Sequence, residues 1–295
     1  MDWLQVQIEL GSLDPEPVEA ALFDLGALAV EYQDGGDRPI LEPAPDTTPL
    51  WPELRLGALL SPDTDPERVR LAIAGAISPA PLPAMHFATL GDRDWLRSFR
   101  ARLEPRRFGA GLWLVPPDSP APAGASAVVR LEPGLAFGSG AHETTALCLD
   151  WLDRTRCRGT VLDYGCGSGV LALAAVALGA ARAFAVDIDP QALAACKDNA
   201  TRNGLAERIW IGLPDDLPTH QRANVLIANI LSGPLIALAP KLCNRLAPGA
   251  AVALSGILNG QADAVRDAYA PWVDFGPVAR RGEWILLSGR SRAKI

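Results

Sequence analysis

The sequence of 295 residues has no apolar run that reaches the roughly 18 residues of a membrane-spanning helix without small or polar breaks. An ordinary helical span is therefore not expected, nor a membrane partner. The start, MDWLQVQIEL, has no basic n-region and alternates apolar with polar residues, so it does not read as a signal peptide. Cysteine is scarce. Cys148, Cys157, Cys166, Cys196 and Cys243 form no CxxC pair, and the three histidines are scattered. That spacing argues against a metal site and fits free thiols in a reducing cytoplasm. Charged residues make up only 21% against 49% hydrophobic, which leaves enough apolar side chains for a sizeable core and little scope for disorder.

The charge that is present lies unevenly. Residues 1–90 hold 15 acidic side chains against four arginines, a net −11, while residues 91–130 hold seven arginines against four acids. An acidic surface repels nucleic-acid backbone and attracts basic proteins. The same 90 residues read as βαββαβ. Residues 3–10 alternate, with Leu4, Val6, Ile8 and Leu10 on one face. Asp14 followed by Pro15 opens a helix that Gly26 stops. Strands are expected at 27–32, 54–60 and 85–90, and a second helix from Asp65-Pro66 to about Ala76. This order predicts a small ferredoxin-like α+β domain, without the stacking aromatics of an RNA-recognition sheet. Residues 91–104 read as a linker helix, with Trp95, Phe99 and Arg102 at helical spacing before Pro105. The remainder, 105–295, is expected to be one further domain.

That domain is organised around TVLDYGCGSGVLALAAVALGAARAFAVDIDP, residues 160–190. It reads as strand, glycine loop, apolar helix, strand. Gly165, Gly167 and Gly169 let the backbone turn sharply and approach a ligand closely. The following helix offers free N–H groups, and Asp187, at the end of the second strand, can accept hydrogen bonds from ribose hydroxyls. A dinucleotide fingerprint, GxGxxG/A, fails when started at Gly165 and passes only loosely from Gly167. S-adenosyl-L-methionine is a sulfonium cation and favours an acid at the loop entrance, where Asp163 stands. Cys166 reads as a small loop side chain. Beyond Asp187, strands at 208–211, 223–228 and 250–255 alternate with helices at 190–203, 234–245 and 261–269, and two late strands follow. The pattern predicts a doubly wound, mostly parallel Rossmann-like sheet. Two further stretches sit where ligands bind such sheets. LEPGLAFGSGAHETT, 131–145, makes a second glycine loop before a helix, with Thr144 able to cap it or to meet a ligand. NILSGPL, 229–235, follows a buried strand, so Asn229 is either an acceptor for an attacking amine or a cap for the next helix.

Together these motifs resemble one family. VLDYGCGSG with AVDIDP resembles class I methyltransferases, and EPGLAFGSGAHETT, NILSGPL and GEWILLSGR resemble the PrmA family of bacterial methyltransferases that act on ribosomal protein L11. The resemblance covers essentially the whole chain. It implies a cytoplasmic, monomeric enzyme that uses S-adenosyl-L-methionine to trimethylate lysine side chains and the N-terminal α-amine of that large-subunit ribosomal protein. Another amine substrate, or RNA, is the alternative. The 1–90 domain would recognise the protein substrate, with no sequence-specific nucleic-acid binding. Thr144, Gly165, Asp187 and Asn229 match the family's cofactor-binding positions; Gly167, Asp163, Phe137 and Gly138 are expected beside them, and Asn229 is also the candidate catalytic residue. Ser139 departs from the family's frequent threonine, and Ile230-Leu231 depart from the NPPY motif of other amine methyltransferases.

Overall fold

The structure, a computed structural model, describes residues 3–36, 40, 49–90, 104–131 and 142–292. The expected linker helix and the loop holding Phe137 and Gly138 lie outside the described residues, Glu104 apart. The chain divides into two compact units, 1–98 and 99–295.

In the first unit, alternation along β1 (Trp3–Gly11) buries Leu4, Val6, Ile8 and Leu10 and leaves the intervening side chains partly exposed. This is the signature of an antiparallel strand with one covered face. It pairs with β3 (Leu54–Leu60) and β4 (Met85–Leu90), and β2 (Ala29–Asp34) pairs with β3, giving the antiparallel order β2-β3-β1-β4. Helices α1 (Glu16–Asp24) and α2 (Pro66–Ala76) contribute Val18, Leu22, Val69 and Ile73 to the same core. The βαββαβ order and the ferredoxin-like sheet agree with the sequence reading. Both helix starts are explained locally: Asp65 caps α2 through Glu67 N–H, and the Asp14 carboxylate accepts from Glu16 N–H at 3.1 Å.

The second unit opens with a small sheet of β5 (Arg106–Phe108), β6 (Leu112–Val115) and β7 (Ala127–Arg130). Then come α3 (Glu143–Thr155), β8 (Thr160–Tyr164), α4 (Val170–Ala177), β9 (Arg182–Val186), α5 (Pro190–Arg202), β10 (Ile209–Gly212), β11 (Ala223–Asn229), α6 (Ser232–Cys243), β12 (Leu246–Leu258), α7 (Ala262–Tyr269), β13 (Val273–Phe275), β14 (Ala279–Arg281) and β15 (Trp284–Ser291). The main sheet runs β10-β9-β8-β11-β12-β15-β13, with β14 also on β15. The first five are parallel; β15 is antiparallel to β12, and β13 and β14 are antiparallel to β15.

Period-two alternation sorts the strand residues between two cores. Val161, Ala183, Ala185, Val225 and Ile227 pack with α3, α4 and α5 on one face. Leu162, Tyr164, Phe184, Val186, Leu226 and Ala228 pack with α6 and α7 on the other. Strands buried on both faces are near-continuous apolar runs. Chain order proceeds from β8 outward to β10 on one side and from β11 to β12 on the other, so the switch point falls between β8 and β11. Open α/β sheets bind ligands at the carboxyl ends of the strands there. β5 and β14 have no counterpart in the sequence reading. Each is three residues long, rich in arginine and paired on one side only, so neither shows apolar periodicity.

Candidate functional site

The switch-point edge collects Asp163, Gly165, Gly167, Asp187 and Asn229, all singled out from the sequence. β8 carries Asp163 next to last, and the chain then turns through Gly165, Gly167 and Gly169 at φ of 78°, 52° and 79°. These values belong to the left-handed region that glycine enters without strain. Packing adds a second demand: a Cβ on Gly165 would run into Ile230, and one on Gly169 into Cys196 on α5. The loop's compactness is therefore fixed from both flanks. Asn199 on α5 closes it from behind, donating from Nδ2 to Ser168 O at 3.0 Å. Cys166 is buried, and a hydrogen bond with Cys196 together with burial raises its thiol pKa. It is an inert packing group, as expected of a small loop side chain.

The two carboxylates behave differently. Asp187 is half-buried just past the end of β9. Its Oδ2 accepts from Gly167 N–H at 2.8 Å and its Oδ1 from Asp189 N–H at 3.1 Å, so it joins the β9 end to the glycine loop. Each oxygen retains acceptor capacity. Asp163 is fully buried. Its Oδ2 accepts from Ala172 N–H, in the first turn of α4, at 2.9 Å, and its Oδ1 is buried without a hydrogen-bond partner. Burial pushes its pKa up to about 7; the Ala172 bond opposes the rise and the charge of Asp187 adds to it.

This arrangement tests the candidate ligands. In a phosphate-binding loop the free N–H groups of the helix start receive the anion. Here the protein's own carboxylate occupies one of those donors, and a phosphate beside it would meet a second negative charge. Between Asp163 and Asp189 the only basic residue is Arg182, at the opposite end of β9. The edge is thus built from acceptors and suits a cation with hydroxyls better than a pyrophosphate. A cationic nucleoside such as S-adenosyl-L-methionine fits these residues.

Thr144 lies in the first turn of α3, almost fully buried, and does not cap the helix. The cap is His142, whose Nδ1 accepts Thr144 N–H at 3.3 Å and meets Thr144 Oγ1 at 2.8 Å, while its ring lies edge-on to Trp284 with centroids 5.1 Å apart. Asn229 ends β11, beside Ser255 of β12. It is not the cap of α6 either: α6 begins after Leu231, without a side-chain cap. Its Nδ2 instead donates to Thr145 Oγ1 at 3.4 Å. Sequence reasoning missed His142 as a cap, Thr145 as a partner of Asn229, and two exposed apolar side chains at the same edge. Ile188, directly after Asp187, is 79% exposed, and Leu213, directly after β10, is 41% exposed. An apolar residue following a strand-end acid was the legible signal for Ile188.

Strand order, glycine loop and paired acids at the switch point define a Rossmann-like methyltransferase domain of class I. The chain belongs to the ribosomal protein L11 methyltransferase (PrmA) family, whose model matches residues 2–292. Proteins named ribosomal protein L11 methyltransferase are 49% identical in Pseudomonas paraeruginosa and 50% identical in Pseudomonas aeruginosa, each over 99% of this chain and all of theirs. Among solved structures, a ribosomal protein L11 methylase from Lactobacillus delbrueckii subsp. bulgaricus is 32% identical, with a TM-score of 0.57 over 64% of this chain and all of that one.

Proposed function

We propose that this chain transfers methyl groups from S-adenosyl-L-methionine to amino groups of ribosomal protein L11, trimethylating lysine side chains and the N-terminal α-amine. The end-to-end match to relatives of that name carries the substrate assignment. The buried Asp163 carboxylate on the α4 start supports the cofactor class. The bound cofactor supplies the activated methyl group. Asp187 accepts the ribose hydroxyls. Gly165 and Gly167, with Thr144, line the rest of the cofactor site, and the family resemblance adds Phe137 and Gly138 to the residues expected to serve it. Ile188 and Leu213 offer apolar surface to a flat base, and Asp163 contributes negative charge from behind the loop.

A lysine amine has an ordinary pKa near ~10.4 and must lose a proton before it can attack. Desolvation at the sheet edge favours the neutral amine, and water takes the proton; no residue is assigned as a general base. Asn229 accepts from the amine and aims its lone pair. Trimethylation requires the amine to rotate between transfers, which a single acceptor permits. Asn229 can accept an N–H in the first two transfers, and the dimethylamine of the third, which has none, is oriented by the shape of the site. The enzyme acts as a cytoplasmic monomer without a membrane partner, and the acidic first unit disfavours nucleic acid as ligand.

Labelled methyl transfer into purified L11, followed by mass spectrometry, tests the reaction; no label in L11 while another amine or RNA is labelled overturns it. Asn229→Ala tests the site. Turnover at saturating cofactor should fall roughly 10–1000-fold, the scale of a lost orienting contact in the transition state. Recovery of near-normal turnover at saturation would leave Asn229 as a cofactor ligand only.

A further inference from the structure

Thr145 is fully buried in the first turn of α3. Together with Cys148, one turn later on the same face, it reaches the carboxyl ends of β11 and β12. Thr145 Oγ1 accepts from Asn229 Nδ2 at 3.4 Å, and the Cys148 thiol hydrogen-bonds Ser255. Asn229 and Ser255 are register partners across the two strands, and Ser255 Oγ is in turn tied to Ile285 O at 2.9 Å. On the far side the backbone is equally confined. Ile230 lies between Gly165 and Gly256, and at neither glycine is there room for a Cβ. Asn229 is thus held by its backbone through Ile230 and by its side chain through Thr145.

A primary amide carries its oxygen and its nitrogen in one plane, so anchoring the nitrogen sets where the oxygen points. The Thr145 hydroxyl can bond either end of the amide. Charge selects the end: an edge that meets a sulfonium and an amine becoming cationic favours the oxygen facing the ligands, leaving Nδ2 for Thr145. At 3.4 Å the bond is long for N–H···O, so its use lies in orientation rather than in stability. We infer that Thr145 is a positioning residue for methyl transfer, its buried hydroxyl holding the Asn229 amide with the oxygen turned toward the incoming amine. The inference rests on the amine-methylation reading above.

Three variants separate this role from packing. Thr145→Val keeps the shape and removes the hydroxyl, Thr145→Ser keeps the hydroxyl and removes the methyl, and Thr145→Ala removes both without an added branch. With L11 and cofactor saturating, Val and Ala should lower turnover about tenfold, and Ser should stay within about twofold of the parent. Cofactor affinity by calorimetry, which also reports that each variant is folded, should shift by less than about twofold. In an Asn229→Ala background, Thr145→Val should cost nothing further, because the group it positions is gone. A packing role predicts the reverse ranking, Val active and Ser impaired. That ranking, or additive losses in the double variant, overturns the inference. A parent enzyme that leaves L11 unmodified overturns the amine reading instead, so the two failures are distinguishable.

Discussion

Asp163 places a negative charge where the cofactor-free protein has little to offset it. Its carboxylate is fully buried, one oxygen is unpartnered, and its pKa is pushed up to about 7 from 3.8, by burial first. For a raised folded-state pKa, the stabilising contribution is complete below the unfolded value, declines as pH rises, and is lost once pH passes about 7. Three pH units correspond to about 4 kcal/mol at most, a large share of a typical domain's stability. Asp163→Asn should therefore raise the melting temperature of the cofactor-free protein at pH 8, and the gain should shrink toward pH 5, where the native side chain is already neutral. Cofactor affinity at pH 8 should fall in the same variant. A melting difference that is flat with pH would mean that Asp163 is ionised throughout and that some other contact offsets its burial.

At the scale of elements, the α4 start depends on how closely α5 approaches it. Gly169 sits at φ +79° and faces the Cys196 side chain with no room for a Cβ. Gly169→Ala incurs roughly 1–2 kcal/mol for the left-handed backbone and about 1–3 kcal/mol for overpacking. Chemical denaturation should show a loss of roughly 2–5 kcal/mol, with weaker cofactor binding as the loop shifts. Adding Cys196→Ala should recover the packing part and leave the backbone part; no recovery would place the cost elsewhere. The elements themselves were largely legible in the sequence because punctuation marks them. Asp65-Pro66 opens α2 where the structure has it, and the apolar run of β11 ends on Asn229 as read. Boundaries drifted where a partner strand extends an element: β12 runs from Leu246 to Leu258 along β11 and β15, well beyond the apolar stretch at 250–255. The site was legible as a set of positions and not as contacts. Spacing reveals neither that Asp163 turns inward to Ala172 nor that Asn229 meets Thr145, 84 residues away, because tertiary pairs leave no local period.

On the scale of the whole molecule, we propose that chemistry and recognition separate along the chain. Every described residue assigned to the reaction lies in 99–295, which has its own cores on both faces of its sheet. The first unit has an independent core around Val6, Ile8, Leu22, Leu56 and Ile73, and residues 1–90 carry a net −11. A ribosomal protein presents Lys and Arg to RNA phosphates, and an acidic unit can engage such groups. Removing residues 1–98 should therefore leave a folded unit that binds cofactor with near-parent affinity and methylates L11 far more slowly at low substrate concentration. In the full chain, KM for L11 should rise steeply between low and physiological salt, since attraction between exposed charges is screened beyond about a Debye length, which shortens as salt rises, and turnover at saturation should change little. The truncated unit should lose that salt dependence along with its affinity. If it keeps the parent KM and the parent salt slope, recognition belongs to 99–295, and the acidity of the first unit serves some purpose other than capture of L11.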